Sequence, residues 1–461
     1  MRTMIARFVG TAATFLMLAG IAAAGELSTT DQSPAGDEAA SGGAAASGYI
    51  VVKLGNPAGG TVSNPVSIND VGWVAGSANL PGNDAAHAAL WLFGFPLDLG
   101  TLGGASSGVE WPVHDERGFV AGISETAVKD PLGETGWSCF AFIPGSGNTC
   151  VGFVWKDGVM TALPTLGGNN GFATGANNQG LVVGWAENTV HDPTCVAPQV
   201  LQFKAVVYGP RPGQITQLPT FHGDPTAAAT AINDRGQIVG VSGICGSSVG
   251  ALSAKHAVMW QNGEVIDLGS LGGAGWNTPM AINDAGAVVG FSDLPGDDNA
   301  QAPNFQAFLW TAAHGMKNLR TLPGDVFSEA LGINAQGQIV GLSASAGFAS
   351  SRAVVYQNGA WVDLNSLIPA DSGLSLLVAG DIDDRGEIAG QALDQSSGDT
   401  VGFVAIPVHQ GGNRAGTTTA APAAASAGAQ QVTLPESVRQ QLLRRLGIGG
   451  IGAASPSQAP H

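Results

Sequence analysis

Two glutamates and two tryptophans have the types best suited to chemistry on a ligand: Glu110, Trp111, Trp276 and Glu329. Carboxylates transfer protons or accept sugar hydroxyls, and tryptophan rings stack on the apolar face of a sugar. All four fall near the starts of predicted strands that share one rim of the fold. They predict a glycan site, with solvated strand ends as the alternative interpretation. Neither a metalloprotease His pair nor a phosphate loop occurs in the sequence, so no catalytic residue is predicted.

Two acidic loops of similar sequence are candidate cation sites. Residues 80–84 read Leu-Pro-Gly-Asn-Asp, and residues 294–299 read Leu-Pro-Gly-Asp-Asp-Asn. Their region offers four carboxylates: Asp84, Asp293, Asp297 and Asp298. Ca²⁺ prefers such oxygen ligands, but the loops lack the alternating aspartates of an EF-hand, and turns use the same residues. Ca²⁺ is therefore the one cofactor that the sequence suggests, with an ordinary turn as the alternative.

The four cysteines predict two disulfides. They are Cys139, Cys150, Cys195 and Cys245. An even count in an exported chain indicates pairing, although three connectivities are open. All four lie in long predicted loops, which favours pairing Cys139 with Cys150, and Cys195 with Cys245 across neighbouring repeats. No Cys-x-x-Cys motif is present, so a thiol-redox or zinc role has little support.

These residues are positioned by an internal repeat of about 50 residues. A segment of the form Ile-Asn-Asp-x-Gly-x-Val-Val-Gly recurs seven times, twice in looser form, with its turn glycine at Gly72, Gly118, Gly180, Gly236, Gly286, Gly337 and Gly386. Asn-Asp-x-Gly between apolar runs predicts a hairpin with glycine in the left-handed region. Asp70, Asp234 and Asp284 are accordingly interpreted as turn residues rather than as an Asp-box of the sialidase type.

Each copy continues with an apolar strand and a short Asp-Leu-Gly strand. Asp157-Gly158, Asn262-Gly263 and Asn358-Gly359 separate these last two strands, and such dipeptides are typical of two-residue hairpins. Four strands per period of this length predict a propeller blade. The seventh copy lacks its fourth strand, and residues 49–55 match the missing type. The sequence therefore predicts an all-β, seven-bladed β-propeller closed by the N-terminal strand, rather than an open solenoid.

The third strands begin with His-Ala or a close variant, as at His87, His256 and Gln306. At these residues the chain resembles the HAF family of bacterial extracellular repeat proteins, named for a His-Ala-Phe start. The resemblance covers roughly residues 49–406. It implies export and repetition, and it carries no activity, ligand or catalytic residue.

The ends of the chain differ from the repeat domain. Arg2 and Arg7, an apolar run and small residues before Gly25 predict a cleaved secretory signal peptide. Near the other end Leu434, Val438, Leu442 and Leu446 recur every four residues, which predicts an amphipathic helix. That helix would dock on the propeller or serve as a handle for a partner. The predicted organisation is signal peptide 1–24, linker 25–47, propeller 48–407, linker 408–431, and helix with tail 432–461.

Charge limits the classes of partner. The chain has 18 Lys and Arg against 35 Asp and Glu, a formal net charge of −17. Such a field repels nucleic acid, and no stretch after the signal peptide is long and apolar enough to span a bilayer. The sequence predicts a secreted or periplasmic protein.

The predicted loops between second and third strands are long and share one face. Function on rigid folds tends to use such loops. The sequence therefore favours a binding or adhesion scaffold for a glycan or a protein at this long-loop face. A carbohydrate-active enzyme that uses Glu110 and Glu329, and a structural surface protein without a small ligand, are the alternatives.

Overall fold

The computed structural model of the chain describes residues 48–113, 115–134, 142–246, 253–296, 304–408 and 432–445. The predicted signal peptide, nearly all of the two predicted linkers, Cys139, Asp297, Asp298 and Leu446 lie outside these residues. Within them, 28 strands form seven four-stranded antiparallel sheets. The sheets are the blades of a seven-bladed β-propeller, so the predicted fold class is confirmed.

Six blades are consecutive meanders, and the seventh joins the two ends of the strand array. Blade 1 contains β2 (Ser63–Ile68), β3 (Trp73–Asn79), β4 (Ala86–Leu92) and β5 (Phe95–Asp98). Blade 2 contains β6 (Gly103–Gly108), β7 (Val120–Lys129), β8 (Asn148–Lys156) and β9 (Val159–Ala162). Blade 3 contains β10 (Gly171–Ala176), β11 (Val182–His191), β12 (Leu201–Tyr208) and β13 (Ile215–Gln217).

The remaining blades follow the same order of strands. Blade 4 contains β14 (Thr226–Ile232), β15 (Ile238–Gly243), β16 (His256–Gln261) and β17 (Glu264–Gly269). Blade 5 contains β18 (Asn277–Ile282), β19 (Val288–Asp293), β20 (Phe305–Thr311) and β21 (Gly315–Arg320). Blade 6 contains β22 (Phe327–Ile333), β23 (Ile339–Ala344), β24 (Ser351–Gln357) and β25 (Ala360–Asp363). Short 3-10 helices lie at Ala346–Phe348 and Leu364–Leu367.

Blade 7 closes the ring as predicted. It contains β26 (Leu374–Ile382), β27 (Ile388–Asp394) and β28 (Thr400–Pro407) from the end of the array, and β1 (Tyr49–Leu54) from its start. Strands β1 and β28 run antiparallel, with Tyr49 opposite Pro407 and Leu54 opposite Gly402. Because β1 and β28 pair with each other, neither terminal strand of the array is left unpaired.

The repeat motif is explained by its backbone geometry. All seven turn glycines have φ between +75° and +88°, a conformation that other residues rarely adopt. The last glycine of each motif lies where the second strand meets a bulge in the inner strand, as at Gly240 beside Ala228. A Cβ at that position would overlap the carbonyl oxygen of the inner strand. Both residues of the predicted hairpin dipeptides also have positive φ, for example Asn262 and Gly263.

One predicted disulfide is confirmed. Cys195 and Cys245 are bonded, with Cα atoms 4.6 Å apart, and they join the long loops of blades 3 and 4. Backbone hydrogen bonds across the same junction link Val196 to Gly246 and Gly246 to Thr194. Cys150 is also disulfide-bonded, and its predicted partner lies outside the described residues.

Helix α1 (Glu436–Arg445) is the α-helix of the described chain, and it falls inside the predicted C-terminal segment. It begins directly after Pro435, as helices often do. Glu436 pairs with Arg439 and Gln440 on the next turn of the helix. Among the described residues, no helix has the length and apolar character needed to cross a bilayer.

Candidate functional site

The long-loop end of the propeller is filled by aromatic and aliphatic side chains, which we call the mouth. Most come from inner, second and third strands, whereas Trp111 follows β6 and Phe348 lies in the 3-10 helix of blade 6. Its aromatic members are Trp111, Phe172, Trp185, Phe203, Trp276, Phe291, Phe305, Phe327 and Phe348. The rings pack directly on one another, with Phe172 stacked on Trp185 at 4.6 Å and Phe327 on Phe348 at 4.9 Å between centroids.

Helix α1 is seated in the mouth. Leu434, Val438 and Leu442 are 6%, 3% and 2% exposed and belong to the same buried cluster as the aromatic rings. Val438 and Leu442, four residues apart, lie on one face of the helix, and Leu434 lies just before its first residue. Burying each side chain contributes about 1.5–3 kcal/mol before the entropy cost of ordering the segment. The apolar periodicity seen in the sequence therefore serves docking on the propeller.

Two polar contacts fix the position of α1. The backbone N–H of Leu434 donates to the carbonyl of Ala349 at 2.9 Å, and Arg439 Nη1 donates to the carbonyl of Gly347 at 3.0 Å. Both acceptors belong to the loop between β23 and β24 of blade 6. Among the described side chains of α1, the ion pair is internal, between Arg439 and Glu436. Attachment to the blades therefore depends mainly on apolar burial.

The four residues predicted to bind a glycan all lie at this end, and all are buried. Trp111 and Trp276 are 7% and 3% exposed and pack edge-on against Phe172 and Phe305 respectively. Glu110 accepts a hydrogen bond from Ser77 Oγ at 3.0 Å. Glu329 is 1% exposed on the inner strand of blade 6. With α1 in place, neither ring face is available to a sugar.

The predicted calcium ligands are separated from this cluster. Asp84 is exposed in a loop that Leu80 and Ala85 close by a backbone hydrogen bond of 2.9 Å. Asp293 is buried at the end of β19, and the other two ligands lie outside the described residues. Within the described ranges, no three His, Cys, Asp or Glu side chains are arranged to hold a metal ion. Ca²⁺ binding stays a prediction.

Blades 2 and 3 extend the long-loop face with two hairpin arms. The sequence predicted loops in these two segments. Strands β7 and β11 are ten residues long, and their pairings reach Lys129 opposite Asn148 and His191 opposite Leu201. The arms share the pattern Glu-x-x-Val-x-Asp, at residues 125–130 and 187–192. This internal match was the sequence feature that could have revealed them.

Each arm buries its glutamate and exposes its valine. Glu125 accepts a hydrogen bond from the N–H of Ala105 at 3.0 Å, and Glu187 accepts one from the N–H of Asn170 at 2.8 Å. Val128 and Val190 are 63% and 49% exposed. The arms therefore present apolar side chains to solvent beside the mouth, which is a common feature of interaction surfaces.

A buried pair of carboxylates lies at the base of the blade 3 arm. Gln199 Nε2 donates to Glu187 at 2.9 Å and to Glu134 at 3.2 Å. Burial, followed by the charge of Glu134, raises the pKa of Glu187 to about 7. Burial likewise raises the pKa of Glu134. Near neutral pH, protonation of Glu187 therefore relieves the repulsion between two buried charges.

The opposite end of the axis holds a polar cavity of about 340 Å³, which we call the turn-end cavity. It is lined by the turns between first and second strands, with side chains including Asp70, Glu116, Asn178, Asp234, Asp284 and Asp384. The predicted turn role of Asp70, Asp234 and Asp284 is compatible with this placement. What the sequence did not show is that seven turns converge around one cavity.

Five of the seven turns carry an asparagine that makes hydrogen bonds in two directions. Asn283 Oδ1 accepts from the N–H of Ala287 at 3.0 Å within its own turn. Asn283 Nδ2 donates to the carbonyl of Asn334 in the next blade, also at 3.0 Å. The equivalent donations to the next blade come from Asn69, Asn177, Asn233 and Asn334.

The residue after each asparagine adds a second chain of bonds between blades. Asp234 N–H donates to the carboxylate of Asp284, and Asp384 N–H donates to that of Asp70. Five carboxylates consequently face one cavity, which makes its potential negative. A hydrogen bond with the Asp70 carboxyl raises the pKa of Glu116, and burial and nearby carboxylates add to the shift. The turn-end cavity thus combines a structural role with an affinity for positive charge.

Comparisons with known proteins give no family for the chain. No protein-family model matches it, and no curated protein sequence matches it. Among solved structures, it is similar to the β-propeller domain of the Trilobed protease from Pyrococcus furiosus, at 8% identity and a TM-score of 0.43, over 78% of this chain and 94% of that one. The resemblance to HAF repeats stays a prediction.

Two further solved structures share less of the chain. Porphyromonas gingivalis dipeptidyl peptidase 4 is 10% identical with a TM-score of 0.34, over 63% of this chain and 45% of that one. A gluconolactonase from Xanthomonas campestris is 12% identical with a TM-score of 0.31, over 56% of this chain and 79% of that one. We draw no inference about activity from likenesses at this level.

Proposed function

We propose that this chain is a secreted binding protein that holds a protein ligand at its long-loop face. The observation that carries the proposal is the seating of α1, a segment from outside the blades, in the aromatic mouth. A surface that already buries Val438 and Leu442 of the helix and Leu434 just before it has the chemistry to bind polypeptide. The exposed valines of the two arms, Val128 and Val190, extend that apolar surface outward.

A protein ligand fits the mouth better than a glycan. Stacking on sugars needs an exposed ring face, whereas Trp111 and Trp276 are packed among other rings. The enzymatic alternative needs carboxylates that reach a substrate, and Glu110 and Glu329 are buried. Secretion is supported by the Cys195–Cys245 disulfide, since such bonds persist in oxidising compartments.

Photo-crosslinking from the arms tests the proposal. A photoreactive residue would replace Val128 or Val190 in the full-length protein, with Phe95 as the matched control because it is 77% exposed on the outer strand of blade 1. We expect the photoreactive residue at either arm position to crosslink to the same single protein. At the control position it should not crosslink to that protein. The purified protein should then bind with 1:1 stoichiometry, and Val128→Asp should weaken that binding at least tenfold.

Two outcomes would overturn the proposal. One is equal trapping from the arms and from Phe95, which would mean that the arms are ordinary surface. The other is specific binding to a glycan array, or turnover on a polysaccharide panel, that is lost when Glu110 and Glu329 are both replaced by glutamine. That result would establish the carbohydrate reading instead.

A further inference from the structure

We propose that the mouth is a receptor for amphipathic helices and that α1 is its resident, exchangeable occupant. This inference rests on the proposed function and names the class of ligand for the same face. The ligand would be a helix with aliphatic side chains at positions i, i+4 and i+8 and a basic polar face. The external helix would take the place of α1, so that the chain inhibits its own binding site until a competing ligand arrives.

The contacts of α1 support exchange. Apolar side chains of residues 432–443, three of them buried and Val432 and Leu443 partly buried, hold the segment in place with two hydrogen bonds to the backbone carbonyls of Gly347 and Ala349. Both acceptors are main-chain groups, and the apolar contacts require shape rather than a particular sequence. Any helix with the same apolar spacing could therefore repeat most of them.

The rigid side of this contact is provided by the blades. Gly347 and Phe348 both have positive φ in the 3-10 turn of blade 6. That turn buries Phe348 against Phe327 and leaves the two carbonyls to accept from α1. The receptor surface thus rests on strands and packed rings of several blades, whereas α1 is a helix of ten residues. Helices of this length are marginal in water without a partner surface.

Charge gives the ligand its polar character. The helix sequence Glu436–Arg445 contains three arginines and one glutamate, while the whole chain has a net charge of −17. A basic helix is drawn to such a protein by the overall field. The charge of the protein therefore favours a basic amphipathic helix over an acidic one.

The length of chain between blade 7 and α1 determines how strongly α1 competes with an external helix. Residues 409–431 separate the end of blade 7 from the described C-terminal segment, 23 residues in all. A flexible linker of this length, as the sequence predicts, would keep α1 at an effective concentration of about a millimolar. An external helix of equal intrinsic affinity must overcome that concentration, so it binds the parent protein weakly.

A peptide titration tests the inference. The probe is a synthetic, fluorescent peptide of residues 432–445, and the receptors are the full-length protein and its variant Leu434→Ser/Val438→Ser/Leu442→Ser. We expect the peptide to bind the variant at least tenfold more tightly than the parent. A control peptide with the same three serines should not bind, and a peptide with its three arginines changed to glutamate should bind about tenfold more weakly at low salt.

A second measurement covers the case in which the triple variant fails to fold. A protease site placed within residues 409–431 allows the tether to be cut after the intact protein has folded. Excess labelled peptide should then replace the cut helix, and the helix should elute separately on gel filtration. Retention of the cut helix against excess peptide, or equal affinity of parent and folded variant, would show that α1 is a permanent part of the fold and overturn the inference. The arm crosslinks do not depend on α1, so their success would leave the proposed function standing.

Discussion

The two ends of the propeller axis are built from the same seven repeats, yet they solve the problem of joining blades differently. At the turn end, short turns of nearly constant length place Asn and Asp side chains against the next blade, and hydrogen bonds pass from turn to turn. At the long-loop end the segments vary in length, and the described parts of these segments form no such regular chain of bonds. Aromatic packing, a disulfide between blades and helix α1 join the blades there.

This difference shows where a repeat protein can change. Each turn-end asparagine donates to a carbonyl in the turn of the next blade, so altering one turn disturbs two blades. The long loops depend on local partners, as in the arms of blades 2 and 3, and each can be altered separately. The end that varies is also the end with an apolar, occupied mouth. This is why we assign ligand binding to it.

The largest effect is expected from removing the covalent link at the long-loop end. Cys195→Ala combined with Cys245→Ala should lower the free energy of unfolding by about 2–4 kcal/mol, because a loop of about 50 residues is no longer closed. Urea denaturation measures the loss. Mild reduction of the parent, which also breaks the disulfide of Cys150, should lower it at least as much. An unchanged midpoint in the double variant would mean that packing and backbone hydrogen bonds hold blades 3 and 4 together.

At the turn end, replacing one asparagine should lower the free energy of unfolding nearly as much as removing the disulfide, although no covalent bond is lost. Asn283→Ala leaves the N–H of Ala287 and the carbonyl of Asn334 without their side-chain partners. Each lost bond at a buried group costs about 1–2 kcal/mol, so a loss of about 2–4 kcal/mol is expected in urea denaturation.

Asn283→Asp is the matched control for that substitution. The aspartate keeps the acceptor for Ala287 and loses the donor to Asn334, so its loss at pH 7 should be about half as large. If the aspartate variant were as stable as the parent, the donation between blades would have no energetic role.

The sequence predicted the features that repeat and missed those that depend on neighbours. Strand order, turn type, hairpin dipeptides and ring closure at Tyr49 all follow from periodicity and local turn chemistry. The two-way bonding of Asn283 could not be read from its own turn, because its second partner belongs to another blade. The recurrence of Asn followed by an acidic residue was the available indication.

The sequence predicted Glu110, Trp111, Trp276 and Glu329 as site residues, and that role stays a prediction, whereas their burial was not foreseen. The long-loop face and its tryptophans were identified, and the spacing of Leu434, Val438 and Leu442 gave the helix. Nothing in the sequence connects that helix to Trp111 or Trp276, since the contact joins segments that are far apart in the chain. The sequence therefore led to an open mouth with exposed carboxylates, where the structure has a filled apolar one.

The buried carboxylates of blade 3 make stability at the long-loop end depend on pH near neutrality. Burial raises the folded-state pKa of Glu187 from 4.5 to about 7, so folding takes up a proton in that window. The stabilising contribution is complete below pH 4.5 and is lost as the pH rises through 7. Glu134→Gln keeps an oxygen for the N–H groups of Val200 and Leu201 and removes the neighbouring charge.

The free energy of unfolding of Glu134→Gln should exceed that of the parent by on the order of 1 kcal/mol at pH 8, and the two should differ little at pH 4.5. Thermal unfolding followed across this range measures the difference. Glu125→Gln, at the position of the blade 2 arm that matches Glu187, is the control and should not be stabilised, because its oxygens accept from the N–H of Ala105 and the hydroxyl of Ser146. A pH-independent gain would show that relief of charge is not the cause.

The smallest effect should be a gain at the turn end, where an aspartate interrupts the ring of asparagines. Asp115 Oδ1 accepts from the N–H groups of Arg117 and Phe119, but its buried Oδ2 has no hydrogen-bond partner among the described residues. Burial raises the pKa of this carboxyl. Asp115→Asn provides a donor toward blade 3 and should add about 1 kcal/mol at pH 7 in urea denaturation.

The other aspartate of the ring supplies the contrast to that gain. Asp383 Oδ2 accepts from Arg385 Nε at 3.0 Å and from Nη2 at 2.8 Å, so Asp383→Asn gives up a charge-assisted pair for its new donor. We expect no increase in the free energy of unfolding of Asp383→Asn. Equal gains in both variants would mean that replacing a buried charge is enough in itself. A gain in Asp115→Asn alone would show that the ring of bonds between blades was incomplete at that step.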